Sequence, residues 1–308
     1  MLKDFLALEN LARFGIGDFA YTEILTPLTF DAYKAWVTHG HHTPLKYLAD
    51  DRQSIRQNLN LFFPEAESAF VFLFPYEKKQ NSNKLASFIT GFDDRDYHLV
   101  IEERLHEIGE NLKKIDDNLN YKISIDKHPV LERDLAYRAG LGWFGKSSLL
   151  IHPKLGTFFL IGSLLLSKKI DWPIRPIHQE WCGQCQRCLD SCPTKAIIHP
   201  KVVEAQKCIS CFTIELFKES PAPQGYEEQS YILGCDRCQE VCPWNKNHIL
   251  ENNTKSSLEL FFERPYIEIL SDLEKMSKKD FVQYFKGTSL ERLGKNGLLK
   301  NLRPEMLK

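Results

Sequence analysis

The cysteines of this chain are the residues best suited to chemistry, because eight of the nine fall into two spaced runs. The runs are Cys182-x2-Cys185-x2-Cys188-x3-Cys192-Pro193, and Cys208 followed after an insertion by Cys235-x2-Cys238-x3-Cys242-Pro243. Thiolates two residues apart can bind one metal centre, because a tight turn brings both sulfurs to the same side. A tetrahedral zinc site usually takes two separated pairs of ligands, which this spacing fits poorly. The spacing therefore indicates iron–sulfur clusters, and a zinc-stabilised binding module is the alternative that the colour of the protein would exclude.

The spacing also suggests which cysteines bind which cluster. Each run ends in Cys-Pro, as in bacterial two-cluster ferredoxins, where the fourth cysteine of one run ligates the other cluster. We therefore assign one [4Fe–4S] cluster to Cys182, Cys185, Cys188 and Cys242, and the other to Cys192, Cys208, Cys235 and Cys238. The ninth cysteine, Cys211, is interpreted as a small buried hydrophobic residue.

Composition limits the remaining classes. With 308 residues, 43% of them hydrophobic, the chain can bury a core without disulfides. The net charge of −1, from 40 basic and 41 acidic residues, gives no sign of a polyanionic partner but leaves room for a local basic patch. No apolar run reaches the length of about 18 residues that a membrane span needs. The N-terminus, MLKDFLALENLARFG, lacks the pattern of a signal peptide, so we expect a cytoplasmic protein whose clustered cysteines bind metal.

The order of sequence patterns predicts three parts. Residues 1–170 read as an α/β domain, with strands at 68–76, 121–125, 148–152 and 157–166 and helices at 96–115 and 131–138. Residues 171–250 form the ferredoxin-like domain, and 171–181, with two prolines, are interpreted as a linker. Residues 251–308 form a helical tail with amphipathic helices at 278–285 and 289–302. We expect these helices to pack against the core, with contact to nucleic acid as the alternative.

A second group of reactive residues lies at 132–146, ERDLAYRAGLGWFGK. Asp134 and Arg138 are four residues apart, so they share one helix face and can form an ion pair. The glycines that follow permit positive φ or a close approach of the backbone to a flat ligand. The alternative is a helix-capping glycine turn beside a surface ion pair.

Here the chain resembles the epoxyqueuosine reductases. The resemblance covers roughly residues 1–250 and is carried by DYH at 96–98, ERDLAYRAGLGWFGKSSLLIHP at 132–153, CGQCQRCLDSCPTKAI at 182–197, CISCFTIE at 208–215 and GCDRCQEVCPWNK at 234–246. Members of this family use cobalamin and two [4Fe–4S] clusters, and remove the epoxide oxygen from epoxyqueuosine at the wobble position of tRNA. Cys211 stands where the family commonly has tyrosine.

The resemblance implies roles for single residues. Asp134 matches the proposed proton donor, and a positioned carboxylic acid can protonate the alkoxide left when an epoxide opens. Cobalamin contacts are expected from Tyr97, His98, Asp134, Arg138 and Phe158. The implied fold is a cobalamin-binding α/β (α+β) domain followed by the two-cluster domain and the tail. The implied partners are epoxyqueuosine-containing tRNA and an external electron donor of flavodoxin or ferredoxin type, and we expect a monomer.

Two other functions remain open from the sequence. A reductive dehalogenase shares the cofactor set but usually carries an export signal. A non-catalytic two-cluster electron-transfer protein would bind no corrinoid and would leave the group at 132–146 unexplained.

Overall fold

The computed structural model describes residues 2–78, 85–217, 220–226, 231–246 and 255–303. Its strands are β1 Asp18–Thr22, β2 Ser68–Pro75, β3 Tyr121–Ser124, β4 Trp143–Phe144, β5 Leu150–Ile151, β6 Phe159–Leu166, β7 Ile197–His199 and β8 Val202–Val203. Its α-helices are α1 Leu2–Phe5, α2 Leu8–Leu11, α3 Phe30–Thr38, α4 Arg52–Gln57, α5 Ser87–Thr90, α6 Tyr97–Ile115, α7 Glu132–Arg138, α8 Arg187–Ser191, α9 Arg237–Glu240, α10 Ser257–Glu263, α11 Tyr266–Lys275, α12 Lys278–Tyr284 and α13 Ser289–Leu302.

The central sheet of the described structure is antiparallel, in the order β1-β2-β6-β3. Phe70, Phe72 and Phe74 of β2 pack in one core with α6, and the alternate residues of β2 pack in another core with α7. Both faces of the sheet are therefore covered. This is why the β2 sequence is continuously apolar instead of alternating.

Helix α6 follows the predicted pattern. The Asp96 side chain accepts the backbone N–H of His98, so it caps the helix at its N-terminus. The predicted apolar stripe faces the sheet, and Ile101, Leu105 and Ile108 are almost fully buried. This cap fixes the position of Tyr97 and His98, which form the first turn.

The strand predicted at 148–152 is wrong at both ends. Only Leu150–Ile151 pairs, with Trp143–Phe144, because Ser148 has a positive φ and the chain turns again at His152. The strand predicted at 157–166 begins at Phe159, two residues late. Strand β1 and helix α3 were not predicted.

Residues 171–181 have no helix or strand, as expected, but they lie against the sheet. The Trp172 ring is 5.7 Å from Phe19 and 5.6 Å from Phe70, and Arg175 forms an ion pair with Asp18 at 2.7 Å. This segment therefore connects the cysteine-rich region firmly to the α/β unit.

Residues 255–303, the described part of the tail, contain four helices, of which the predicted α12 and α13 are confirmed. Helices α10 and α11 were missed, although the Ser256-x-x-Glu259 capping box that starts α10 is a sequence signal. The tail shares one hydrophobic core with α5 and Leu233, so it packs against the rest of the protein as expected. No helix among the described residues is long and apolar enough to cross a membrane.

Candidate active site and metal centres

The eight spaced cysteines lie on short loops and helix ends around α8 and α9. Cys188 is in the first turn of α8, Cys192 follows its last residue, and Cys238 lies within α9. None of these eight cysteines forms a disulfide, and neither does Cys211. Helices α8 and α9 have only five and four residues. Many backbone N–H groups near the cysteines are therefore outside helices and can point toward the sulfurs.

Thiols of the two runs lie close to one another. Burial raises the pKa of Cys188 to about 11, and the neighbouring Cys182 and Cys242 thiols add to this effect. Burial likewise raises the pKa of Cys235 to about 12, with Cys208 and Cys192 as its thiol neighbours. These neighbours match the crossed arrangement of ferredoxins.

The first thiol set (Cys182, Cys185, Cys188 and Cys242) lines a cavity of about 650 Å³, which we call the cluster 1 cavity. Within the described ranges, no three His, Cys, Asp or Glu side chains are arranged to hold a single metal ion. Trp143 packs beside this region, 5.2 Å from Trp181 and 4.7 Å from Trp244 between ring centres.

The tail forms hydrogen bonds to the segment beside the second thiol set (Cys192, Cys208, Cys235 and Cys238). The buried Lys300 of α13 donates to the Phe212 and Leu216 carbonyls, and Asn301 donates to the Thr213 carbonyl. Cys211 is buried beside these hydrogen bonds, as predicted, and burial raises its pKa to about 12. Helix α13 therefore holds the loop that follows Cys208.

Asp134 and Arg138 form the predicted ion pair, but it is buried. Asp134 Oδ2 lies 2.5 Å from Arg138 Nε, and the two side chains are at most 1% exposed. Asp134 Oδ1 accepts the Thr29 backbone N–H at 2.7 Å, and Arg138 also donates to the Ile24 carbonyl. The loop between β1 and α3 thus fixes this pair from the opposite side.

The glycines after α7 allow a turn and a close approach between two parts of the protein's own backbone. Gly140 has a φ of +75° and ends the helix. A Cβ at Gly142 would lie 2.2 Å from the Ile151 carbonyl oxygen. The close approach at Gly142 is therefore to the neighbouring strand, which favours the capping-turn interpretation for the glycines.

Tyr97 and His98 lie together in a charged network. Their rings stack 4.1 Å apart, and Asp126 accepts from Tyr97 Oη at 2.5 Å and from His98 Nε2 at 2.8 Å. Burial lowers the pKa of His98, but hydrogen bonds to Asp126 and Asp96 outweigh it and raise that pKa to about 9. His98 is therefore a cation at neutral pH.

Two members of this network, Asp126 and Arg292, were missed, and Glu132 was placed in the reactive group at 132–146 without a role of its own. Asp126 follows the end of β3, Glu132 begins α7, and Arg292 of α13 reaches within 3.3 Å of His98 Nε2. Burial, followed by the charge of Asp126, raises the pKa of Glu132 to about 8. A polar residue directly after a strand is a signal for Asp126, but no sequence pattern brings Arg292 to His98.

Phe158 lies in a different place from these polar groups. It is 2% exposed, belongs to the core on the α6 side of the sheet, and meets Tyr76 edge-on at 5.8 Å. The structure thus brings Asp134 to Arg138 and Tyr97 to His98, while Phe158 supports the sheet.

Together these features define a class: an iron–sulfur protein in which a mixed α/β unit carries a buried carboxylate site. Residues 181–245 match the family described as "4Fe-4S double cluster binding domain", which gives the chain two [4Fe–4S] clusters. Residues 56–127 match the family "Epoxyqueuosine reductase QueG, DUF1730".

Similarity to individual proteins extends over most of the chain. An epoxyqueuosine reductase of Cyclobacterium marinum is 33% identical over 285 residues, covering 87% of this chain and 84% of that protein. One from Francisella cf. novicida is 33% identical over 286 residues, covering 88% and 77%. The chain belongs to the epoxyqueuosine reductase family, which is a family of oxidoreductases.

Solved structures agree on the fold. The epoxyqueuosine reductase of Streptococcus thermophilus superposes with a TM-score of 0.82 at 22% identity, over 99% of this chain and 81% of that one. A second epoxyqueuosine reductase, crystallised with an epoxyqueuosine-modified tRNA-Tyr stem loop, gives a TM-score of 0.78 at 24% identity, over 99% and 80%.

Proposed function

We propose that this protein reduces epoxyqueuosine to queuosine in tRNA. The observation that carries the proposal is the similarity to epoxyqueuosine reductases over 87% of the chain, which includes both cysteine runs. Removal of an epoxide oxygen as water consumes two electrons and two protons. The protein must therefore deliver electrons and supply acid at one place.

The eight cysteines are proposed as cluster ligands in the crossed arrangement. Cys182, Cys185, Cys188 and Cys242 hold cluster 1, and Cys192, Cys208, Cys235 and Cys238 hold cluster 2. Support comes from the thiol neighbours that cross between the runs. Because cysteine binds iron as the thiolate, assembly of the clusters is expected to release protons.

Cobalamin is proposed as the second cofactor. The residues fit it: Glu132 Oε2 is buried without a hydrogen-bond partner among the described residues, and the rim of a corrin carries amide N–H donors. Tyr97 and His98 add a stacked aromatic face on the Glu132 side, and we keep Asp134, Arg138 and Phe158 as proposed contacts. When bound, the clusters carry single electrons and cobalamin supplies a strongly reducing cobalt centre.

Asp134 is proposed as the proton donor to the opened epoxide. The Arg138 guanidinium at one oxygen and the Thr29 N–H at the other hold this carboxyl group in place. Proton transfer from Asp134 to the alkoxide leaves a carboxylate, whose negative charge the Arg138 guanidinium stabilises. Arg138 thus positions Asp134 and stabilises charge in the same step.

The partners are proposed as follows. The tRNA docks through basic side chains with its target base extruded into the site, so binding weakens as salt rises. A flavodoxin- or ferredoxin-type protein supplies electrons. The enzyme acts as a monomer in the cytoplasm.

The proposal is tested by anaerobic purification with cobalamin, quantification of bound iron and corrinoid, and reduction of epoxyqueuosine-containing tRNA followed by mass spectrometry of its nucleosides. Queuosine formation that requires both cofactors supports the proposal. Corrinoid retention without tRNA turnover would instead favour a different cobalamin reductase, and failure to bind corrinoid would favour an electron carrier.

A further inference from the structure

The two thiol sets differ in their surroundings. The second set lies among buried side chains: Ile209, Phe212 and Asp236 are 2%, 1% and 3% exposed. The cluster 1 cavity instead has an open rim, where Trp181 is 52% exposed and Lys154 and Arg187 face solvent. An external protein can therefore approach the first set at this rim.

One member of the second set, Cys238, which also lines the cluster 1 cavity, lies on the side of the Tyr97–His98 network. The side chain of the next residue, Gln239, donates to Tyr76 Oη at 3.5 Å. The Tyr76 ring is 6.4 Å from Phe88, and Phe88 is 5.7 Å from Tyr97. A continuous series of aromatic rings thus leads from Cys238 to the Tyr97–His98 network.

The surface around the cluster 1 cavity is basic. Arg187 and Pro243 line both this cavity and an adjoining one of about 550 Å³, which adds Lys246. In the described part of the chain, Lys154, Arg187 and Lys246 have no ion-pair partner, so their charges face solvent. Two carboxylates, Asp190 and Glu240, also lie there, and Glu240 is bound by Tyr231 and Arg237.

This excess of positive charge is confined to one part of the surface, because the whole chain has a net charge of −1. We define the cluster 1 face as Lys154, Arg187 and Lys246 around the open rim at Trp181. Basic side chains around an accessible redox centre attract an acidic protein and accelerate its diffusional approach.

We propose that electrons enter at cluster 1 and that a small acidic one-electron carrier, with flavin or iron–sulfur chemistry, docks on the cluster 1 face. The inference rests on the proposed function of the clusters. In each encounter the carrier loses one electron and cluster 1 gains one, and no covalent bond forms or breaks. The second thiol set would hold the cluster from which the aromatic rings lead to the Tyr97–His98 network.

The test uses anaerobic, cluster-loaded protein and a reduced flavodoxin as the acidic carrier. Stopped-flow absorbance measures cluster reduction, and calorimetry measures binding of the two oxidised proteins, each at several salt concentrations. In the charge-reversal variant Lys154→Glu/Arg187→Glu/Lys246→Glu, flavodoxin should reduce the clusters about tenfold more slowly at low salt. The reduction rate of this variant should also lose most of its salt dependence. Its affinity for flavodoxin should fall in parallel.

The matched control is Lys114→Glu/Lys278→Glu/Lys279→Glu, which changes net charge equally on exposed lysines of α6 and α12. It should keep the rate of the unaltered protein. Reduced methyl viologen, a small cation, should reduce both variants at least as fast as the unaltered protein, which shows that the clusters remain intact.

Equal flavodoxin rates in both variants, or equal losses in both, would overturn the docking proposal. If Lys154→Glu/Arg187→Glu/Lys246→Glu loses iron, Lys154→Glu and Lys246→Glu are measured singly, and each should slow reduction severalfold. None of these measurements requires tRNA turnover. Absence of iron–sulfur absorbance in the unaltered protein would instead refute the proposed function itself.

Discussion

Two carboxyl groups at the start of α7 lie two residues apart in sequence and have opposite surroundings. Asp134 accepts one backbone N–H and forms a buried ion pair with Arg138. Glu132 keeps one buried oxygen without a hydrogen-bond partner in the described structure, close to the negative charge of Asp126. Burial and Asp126 raise the pKa of Glu132 to about 8.

The difference arises from helix geometry. Residues two apart on a helix do not face each other, so each carboxyl meets a different part of the protein. Asp134 accepts the Thr29 N–H and pairs with Arg138, which donates to the Ile24 carbonyl. Glu132 instead lies close to His98 and Asp126. One short helix can therefore present a carboxyl group held in a buried ion pair and, two residues away, a carboxyl group whose pKa is raised to about 8.

The largest expected effect follows from changing the carboxyl group held in the buried ion pair. Asp134→Asn keeps the shape of the side chain and removes its acid chemistry, so queuosine formation should fall by about 10²–10⁴-fold. Single-turnover assays on epoxyqueuosine-containing tRNA measure the loss. Iron and corrinoid content should stay unchanged, and a fully active variant would remove Asp134 from the proposed mechanism.

Arg138 should matter for stability, because its removal leaves a buried negative charge. Arg138→Met should lower the free energy of unfolding by about 3–5 kcal/mol. Arg133→Met is the matched control on the same helix, since Arg133 is exposed and donates only to the Ser148 carbonyl among the described residues, so its loss should cost about 1 kcal/mol. Anaerobic urea unfolding compares the two variants, and equal losses would contradict the special role of the buried pair.

The sequence predicted these regions unequally. Local patterns were enough for β2, α6, α7 and α13, because apolar periodicity and caps act over neighbouring residues. The ion pair of Asp134 and Arg138 was also predictable, because four residues separate them on one helix. Its burial was not, since the Ile24 and Thr29 backbone that encloses it lies more than a hundred residues away.

The missed site residues depend on the same kind of long-range contact. Arg292 reaches His98 across 194 residues, and Lys300 reaches Phe212 across 88. The tail thus contributes to both the active-site network and the loop after Cys208, although its sequence shows only amphipathic helices. Such contacts are set by packing of whole helices, which no local pattern records.

A smaller effect should appear as a pH dependence of stability that separates Glu132 from Asp134. The pKa values of Glu132 and His98 are raised in the folded protein to about 8 and about 9, so folding binds protons. Stability from these groups is complete below their ordinary values of 4.5 and 6.5 and is lost as pH rises through 8 and 9. Each group contributes a slope of up to about 1.4 kcal/mol per pH unit.

Glu132→Gln should therefore flatten the decrease in thermal stability between about pH 4.5 and 8, while His98→Gln should flatten it between about pH 6.5 and 9. Differences between each variant and the unaltered protein cancel the titration of other groups. An unchanged pH dependence in Glu132→Gln would show that this carboxyl is already ionised at neutral pH.

The smallest effect concerns Arg292, which connects the tail to the network around Glu132. Because Arg292 is exposed, Arg292→Gln should change the free energy of unfolding by no more than about 0.5 kcal/mol. Its positive charge lowers the pKa of His98, so the substitution should raise that pKa above about 9. Nitrogen-15 NMR titration of the His98 ring measures the change, with the exposed Lys279→Gln as control. A pKa that stays the same in both variants would mean that Asp96 and Asp126 alone determine the charge of His98.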